Sequence, residues 1–190
     1  MRRLFLILSL VMTAGCSTKD QVRVVVENPD TPQMQVAVPR LGARGMITPA
    51  GRNGEVETWR TPDFVTFSFD RGVLVATRGL GDDLMSADIA QTHAALDGDA
   101  DHWGPRINSY LDGEYKSYFM AFQCRRTDSG AETVTIGNTD RRTTHTEEHC
   151  VTEGREIVNH YWRGADGVMW KSRQWVSPTA GYLETERRVR

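Results

Sequence analysis

Residues 64–77 read FVTFSFDRGVLVAT, two runs of aromatic and β-branched residues divided by Asp70-Arg71-Gly72. Phe64, Thr66 and Ser68 alternate with Val65, Phe67 and Phe69, a period of two that places side chains on opposite faces of a strand. The turn and the return segment, Val73 to Thr77, predict a hairpin. Similar signals recur along the chain. Met34 to Pro39 is a short apolar run, and Met46-Ile47-Thr48 and Val56 to Trp59 flank Asn53-Gly54, a favoured hairpin dipeptide. Tyr115 to Arg125 leads to an expected turn at Asp128-Ser129-Gly130, then Glu132 to Ile136 and Thr143 to Thr152. Ile157 to Trp162 turns through Gly164-Ala165-Asp166-Gly167 into Val168 to Val176. Tyr182 to Val189 follows Pro178 and Gly181. A helix is expected only within Asp82 to Leu96, capped by Asp82 or Asp83, with Leu84, Ile89 and Leu96 as its apolar positions. The predicted fold is mainly β: a single antiparallel, strongly curved sheet or barrel-like domain with at most one or two short helices.

The chain opens MRRLFLILSLVMTAGCS, with a positive end at Arg2 and Arg3, an apolar run from Leu4 to Met12, and small residues before Cys16. That is the layout of an export signal, and its apolar run is shorter than the roughly 20 residues that span a bilayer. Cysteine directly after Ala14-Gly15 predicts a bacterial lipoprotein signal, although Thr13 stands where such signals usually carry an aliphatic residue. Cleavage before Cys16 and acylation of its thiol and amine would anchor the chain, since several acyl chains hold firmly where one holds marginally. Ser17 in place of aspartate favours the outer membrane. The expected organisation is a lipoprotein signal peptide at 1–15, a lipidated N-terminus and tether at 16–33, and a single β-rich domain at 34–190. The expected location is the outer membrane of a Gram-negative bacterium, facing the periplasm.

Removing residues 1–15 from 190 leaves 175, enough for one domain with its own core. Taking Arg2 and Arg3 from the 23 basic residues leaves 21 against 25 acidic ones, a formal charge of −4, which suits no nucleic-acid surface. With Cys16 lipidated, Cys124 and Cys150 remain as an expected disulfide in an oxidising compartment. The bridge would close a loop of about 26 residues and contribute about 3 kcal/mol.

Several stretches invite a chemical reading. His145-Thr146-Glu147-Glu148-His149 fits the H-x-x-E-H pattern of zinc peptidases, which requires both histidines on one helical face. Thr143, Thr144, Thr146, Val151 and Thr152 favour a strand instead. There the two histidines stand about 13 Å apart and do not converge on one ion. Asp97, Asp99 and Asp101 have the spacing that opens a calcium loop, but His102 replaces the turn glycine and Asn108 the closing glutamate. Trp59, Trp103, Trp162, Trp170 and Trp175 are candidate sugar platforms, though aromatic residues in strands more often fill cores. Ser, His and Asp are present without a nucleophile-elbow context, and Gly79-Leu80-Gly81 reads as a backbone turn rather than a dinucleotide fingerprint.

The ordered set of the lipoprotein signal, GVLVATRGLGDDLMSAD from Gly72, FQC at Phe122 to Cys124, EEHC at Glu147 to Cys150, NHYW at Asn159 to Trp162 and WKSRQWVSP from Trp170 to Pro178 resembles the YjbF/GfcB family of lipoproteins. The resemblance implies a curved antiparallel fold and a non-enzymatic outer-membrane lipoprotein of exopolysaccharide or group 4 capsule secretion. It supplies no catalytic residues, metal ligands or cofactor. Matching positions are Gly79, Leu80, Gly81, Asn159, Trp162, Ser172, Gln174 and Pro178. Physically, the glycines would permit a tight turn, and the amides of Asn159 and Gln174 would satisfy backbone groups between strands. Implied partners are the outer-membrane lipid, polysaccharide, an outer-membrane porin and other periplasmic secretion proteins. A second reading is a half-barrel that carries or senses an apolar ligand. A third, less favoured, is a glycan hydrolase using two of Glu147, Glu148, Asp82 and Asp83.

Overall fold

The computed structural model describes residues 31–98 and 101–188. They form twelve strands: β1 (Met34–Val38), β2 (Ala43–Asn53), β3 (Val56–Arg60), β4 (Thr66–Asp70), β5 (Val73–Arg78), β6 (Asp83–Ala87), β7 (Gly104–Leu111), β8 (Ser117–Ile136), β9 (Thr139–Thr152), β10 (Arg155–Gly164), β11 (Met169–Ser177) and β12 (Gly181–Arg187). One short helix, α1 (Ala90–Asp97), joins β6 to β7. The strands make one antiparallel sheet in the order β5-β4-β3-β2-β1-β12-β11-β10-β9-β8-β7-β6. Each strand pairs with its neighbour in sequence, and β1 closes the ring against β12 through Met34 opposite Arg187. Only β5 and β6 lie side by side without a ladder, so the sheet is a barrel with a single seam.

The hairpin turns follow from backbone sterics. Asp70 pairs with Val73, leaving Arg71 and Gly72 as a two-residue loop. Both have positive φ, as a turn matching the strand twist requires. The first hairpin turns one residue later than its Asn-Gly signal suggests, on Gly54-Glu55, because Asn53 pairs with Val56. Pro49 sits in β2 where the pairing with β3 skips a residue, a bulge that tolerates its missing N–H.

Three expectations differ from the structure. Asp128-Ser129-Gly130 is not a turn: β8 runs on to Ile136, absorbs one extra residue between Arg126 and Asp128, and reverses at Gly137-Asn138. Pairing along β9 satisfies that backbone and overrides the local turn propensity. The helix starts at Ala90 rather than near Asp82. Asp83 instead begins a strand, and its carboxylate accepts the N–H groups of Gly79 and Leu80 at 2.9 and 3.0 Å. Finally, β7 falls in a stretch without an apolar pattern because its buried positions are Gly104, Arg106, Asn108 and Tyr110.

The interior is packed in clusters. Val36, Ile47, Trp59, Phe67, Phe69, Leu74 and Leu183 fill one part. Phe122, Ile157 and Trp175 surround the disulfide between Cys124 and Cys150, which face each other across β8 and β9. Between the clusters lies a charged knot. Glu148 is wholly buried, and its Oε1 accepts the Thr92 hydroxyl at 2.6 Å. Its Oε2 accepts Asn159 Nδ2 at 2.9 Å, the Tyr161 hydroxyl at 3.1 Å and Arg106 Nη1 at 3.3 Å. Arg106 Nη1 also reaches Thr92, Arg106 Nε reaches Asn108, and Asn108 donates to the Tyr110 hydroxyl. Burial, with Glu148 beside it, holds the Tyr161 hydroxyl well above the usual tyrosine range, so it stays a donor.

Removing one partner of a buried pair strands the other charge, whereas removing both can be nearly neutral. Glu148→Gln or Arg106→Met alone is expected to lower unfolding free energy by about 3–5 kcal/mol. The double variant should recover part of that loss in chemical denaturation. A double variant as unstable as the sum of the singles would exclude the coupling.

Candidate functional site

Tracing each strand from start to end gives the barrel two unlike mouths. At one lie Gly79-Leu80-Gly81, Gly113, Pro178 and the β9–β10 turn. At the other lie the Arg71-Gly72 turn, α1, the β10–β11 loop and both ends of the described chain, where Arg188 N–H donates to the Gln33 carbonyl at 2.9 Å.

At the first mouth, motif residues and their neighbours are tied together by packing and hydrogen bonds. Gly79 has φ +93°, and a Cβ there would sit 3.3 Å from Val65 Cγ2. Leu80 packs against the main core. Across the seam, Leu84 N–H donates to the Thr77 hydroxyl at 3.0 Å, and Arg78 Nη1 donates to the Leu84 carbonyl at 3.0 Å. Asp82 is buried, accepting the Tyr118 hydroxyl at 2.7 Å and the Thr179 N–H at 3.4 Å, which ties the β5–β6 loop to the residue after Pro178. Arg40 Nη1 donates to the Pro178 carbonyl at 2.7 Å.

Asn159, Ser172 and Gln174 point into the barrel and are fully or almost fully buried. Asn159 Oδ1 accepts the Trp175 N–H at 2.7 Å while its amide nitrogen donates to Glu148. Gln174 bridges the lumen, accepting Leu74 N–H at 2.8 Å and donating to the Gly72 carbonyl at 2.9 Å and to Ser172 Oγ at 2.9 Å. Trp162 faces outward, its ring 4.7 Å from that of His145 and covered by Lys171. Cys16 lies outside the described residues.

The second mouth is open. A cleft of about 460 Å³ runs between the β2–β3 and β4–β5 hairpins on one side and the β10–β11 loop and end of β12 on the other. Met34, Trp59, Phe69 and Met169 line its apolar part, and Arg52, Glu57, Arg71, Arg163, Asp166 and Arg187 its polar part. The charges hold each other in place. Glu57 stands 3.6 Å from both Arg52 Nη1 and Arg187 Nη2, and Arg187 lies over the Trp59 ring at 5.4 Å. Asp97, at the end of α1, meets Arg163 at 2.9 Å and Arg71 at 3.5 Å. The hydrogen bond from Arg163, reinforced by the charges of Arg163 and Arg71, holds the Asp97 carboxyl below the usual range. The helix is thereby pinned beside the cleft.

The other motifs come apart. His145 and His149 lie on the outer face of β9 with different neighbours: His145 meets His160 and Trp162, while His149 meets Trp103 and Glu156. Glu147 and Glu148 point to opposite faces, the first toward the Thr127 hydroxyl and the second into the core. Asp97 and Asp101 turn to separate arginines, the latter to Arg126 at 2.6 Å, and Asp99 lies outside the described residues. Trp59 and Trp175 are core residues, whereas the rings of Trp103, Trp162 and Trp170 are each covered by a cation, from Arg125, Lys171 and Arg141 respectively. Among the described residues, one group of three potential metal ligands converges: Cys124, Glu148 and Cys150. Its sulfurs are joined and its carboxylate is occupied by Thr92, Arg106, Asn159 and Tyr161. Sequence reasoning missed Arg52, Glu57 and Arg187, whose only signal was position near hairpin or strand ends.

The fold defines a class: an almost closed antiparallel barrel with a polar cleft at the mouth where both ends of the described chain lie. A family model described as "Group 4 capsule polysaccharide lipoprotein gfcB, YjbF" matches residues 16–187. The chain belongs to that family, a lipoprotein family associated with capsule polysaccharide. The crystal structure of the hypothetical lipoprotein YmcC from Escherichia coli (K12) is similar in fold, with a TM-score of 0.70, 16% identity and 85% of each chain covered. No curated protein matches the chain.

Two predictions follow from the packing. Gln174→Ala would leave the buried Leu74 N–H and Gly72 carbonyl unpaired, and is expected to destabilise by about 2–4 kcal/mol in urea denaturation, at about 1–3 kcal/mol per unsatisfied group less local relaxation. His93 lies on α1 itself and turns toward the end of β4, with Nε2 3.6 Å from Asp70 and with Arg71 and Asp97 nearby. Burial, assisted by Arg71, lowers its pKa from the ordinary 6.5. The neutral ring is the folded form, so its contribution is complete above about pH 6.5 and is lost as pH falls through that value. Thermal stability should decline from pH 7.5 to 5.5, and less steeply in His93→Gln. Equal slopes would exclude His93 as a source.

Proposed function

We propose that this chain is a lipid-anchored periplasmic accessory protein of exopolysaccharide or capsule secretion, acting by binding and assembly, with the open-mouth cleft as its glycan-binding surface. Acylated Cys16 would hold it to the outer membrane. The cleft is the observation that carries the reading: an apolar floor with fixed arginine and glutamate groups suits a polyhydroxylated ligand, which needs both apolar contact and aimed hydrogen bonds. About 18 residues separate Cys16 from Met34, a reach of roughly 60 Å when extended, so the cleft can present polymer or meet a porin away from the lipid surface.

The lumen weighs against an apolar-ligand carrier, because Gln174, the Glu148 knot and packed aromatic rings occupy it. The more apolar pocket, near Val36, Val38 and Phe67, holds only about 130 Å³. A hydrolytic reading gains nothing from Glu147, Glu148, Asp82 and Asp83. None of them lines the cleft, and Glu148 and Asp82 are committed to buried hydrogen bonds.

Polysaccharide extracted from the producing strain is expected to bind the full chain in detergent. Arg52→Ala with Arg187→Ala should weaken that binding about tenfold, equivalent to about 1.4 kcal/mol, without lowering the melting temperature. Deleting the gene should reduce secreted polysaccharide, and the double variant should restore it less well than the parent. Equal binding by parent and variant would remove the cleft from the account; unchanged secretion after deletion would remove the secretion role.

A further inference from the structure

The His145 and His160 imidazoles meet on the outer face of the barrel, contributed by neighbouring strands β9 and β10. His145 Nε2 and His160 Nδ1 are 3.2 Å apart. Two imidazole nitrogens bound tetrahedrally to one zinc ion at about 2.0–2.1 Å stand about 3.3–3.4 Å apart, so the pair has the spacing of two ligands already. Glu147 supplies an adjacent carboxylate. Its Oε1 is held by the Thr127 hydroxyl at 2.7 Å, and its Oε2 lies 3.9 Å from His160 Nδ1. As placed, the carboxylate does not converge with both ring nitrogens, so ligation requires this partly exposed side chain to leave Thr127 and rotate toward the histidine pair. Glu132 Oε2 is 3.6 Å from the opposite nitrogen of His145, Nδ1, near enough for a small rotation to accept its N–H and direct Nε2, now hydrogen-bonded to His160, toward an ion.

From this geometry we infer that His145, His160 and Glu147 form a surface site for a divalent transition ion of the zinc and copper class, with Glu132 orienting His145 and the remaining coordination open to solvent. Imidazole with carboxylate is the donor set that selects these ions over calcium or magnesium. Lys171 and Arg173 are the nearby cations, and they lie over the rings of Trp162 and Tyr182. An ion here would clamp β9 to β10 on the outside, opposite the buried Glu148 knot. The H-x-x-E-H stretch thus contributes one of its histidines to a metal site, but with a partner from the next strand rather than His149.

The test uses the full chain in detergent, purified without a polyhistidine tag. Zn²⁺ titration calorimetry should show one saturable site, and Cu²⁺ should quench tryptophan emission because the Trp162 ring stacks 4.7 Å from His145. His145→Asn and His160→Asn, which keep polar side chains of modest size, should each weaken Zn²⁺ binding more than about 100-fold. Glu132→Gln should weaken it about 10–100-fold as an outer-shell change, and His149→Asn should leave it unchanged. Circular dichroism confirms that each variant is folded. Absence of saturable binding by the parent, or the same affinity in the folded His145→Asn/His160→Asn double variant, would overturn the site.

Discussion

The barrel depends on a carboxylate with no access to water. Glu148 accepts hydrogen bonds from Thr92 on α1, Arg106 on β7, and Asn159 and Tyr161 on β10 while standing on β9. A buried charge is tolerable only when its lone pairs are filled, so these four elements must occupy fixed relative positions. Ordinary apolar packing allows small slips at modest cost; an unpaired carboxylate does not. The knot therefore sets the register of one half of the ring. Gln174 extends the constraint across the lumen to the β4–β5 turn by binding Leu74 and Gly72.

With the lumen largely filled by side chains, space for a ligand lies at the mouths and on the outer surface. Seam closure through Thr77, Arg78, Asp83 and Leu84 uses side chains where a twelfth ladder would otherwise be needed. Around the opposite mouth, the Arg71–Asp97–Arg163 bridge ties the β4–β5 turn to α1 and β10, and the Arg52–Glu57–Arg187 bridge ties the β2–β3 hairpin to β12. Screened surface ion pairs contribute little stability individually, so their value lies in presenting fixed polar groups. The described chain enters the fold at this mouth, beside the cleft.

The strand alternation of Phe67 and Phe69 and the Arg71-Gly72 turn were legible because both are local: a period of two and a sterically permissive dipeptide. β7 was not, since its inward residues are Arg106, Asn108 and Tyr110 while the half-exposed Ile107 faces out. A polar interior inverts the signal on which strand reading rests. The turn expected at Asp128-Ser129-Gly130 failed for another reason, as a long partner strand outweighed local propensity. The amides of Asn159 and Gln174 were anticipated as satisfying backbone between strands, but their partners, Trp175 on one side and Leu74 on the other, required the barrel to be closed.

Sequence by itself determined the antiparallel, turn-rich character of the chain, the lack of a helix under His145 and His149, and the pairing expected of Cys124 with Cys150. These depend on residues close together or on simple counting. Tertiary structure alone decided that Arg52, Glu57, Arg163 and Arg187 share one cleft, that Glu148 is interior and Glu147 exterior, and that His145 meets His160. Those groups are brought together when β1 joins β12 and neighbouring strands fix their register. Neither event is encoded in any short window, because the free energy that selects them comes from satisfying buried polar groups supplied by separate parts of the chain.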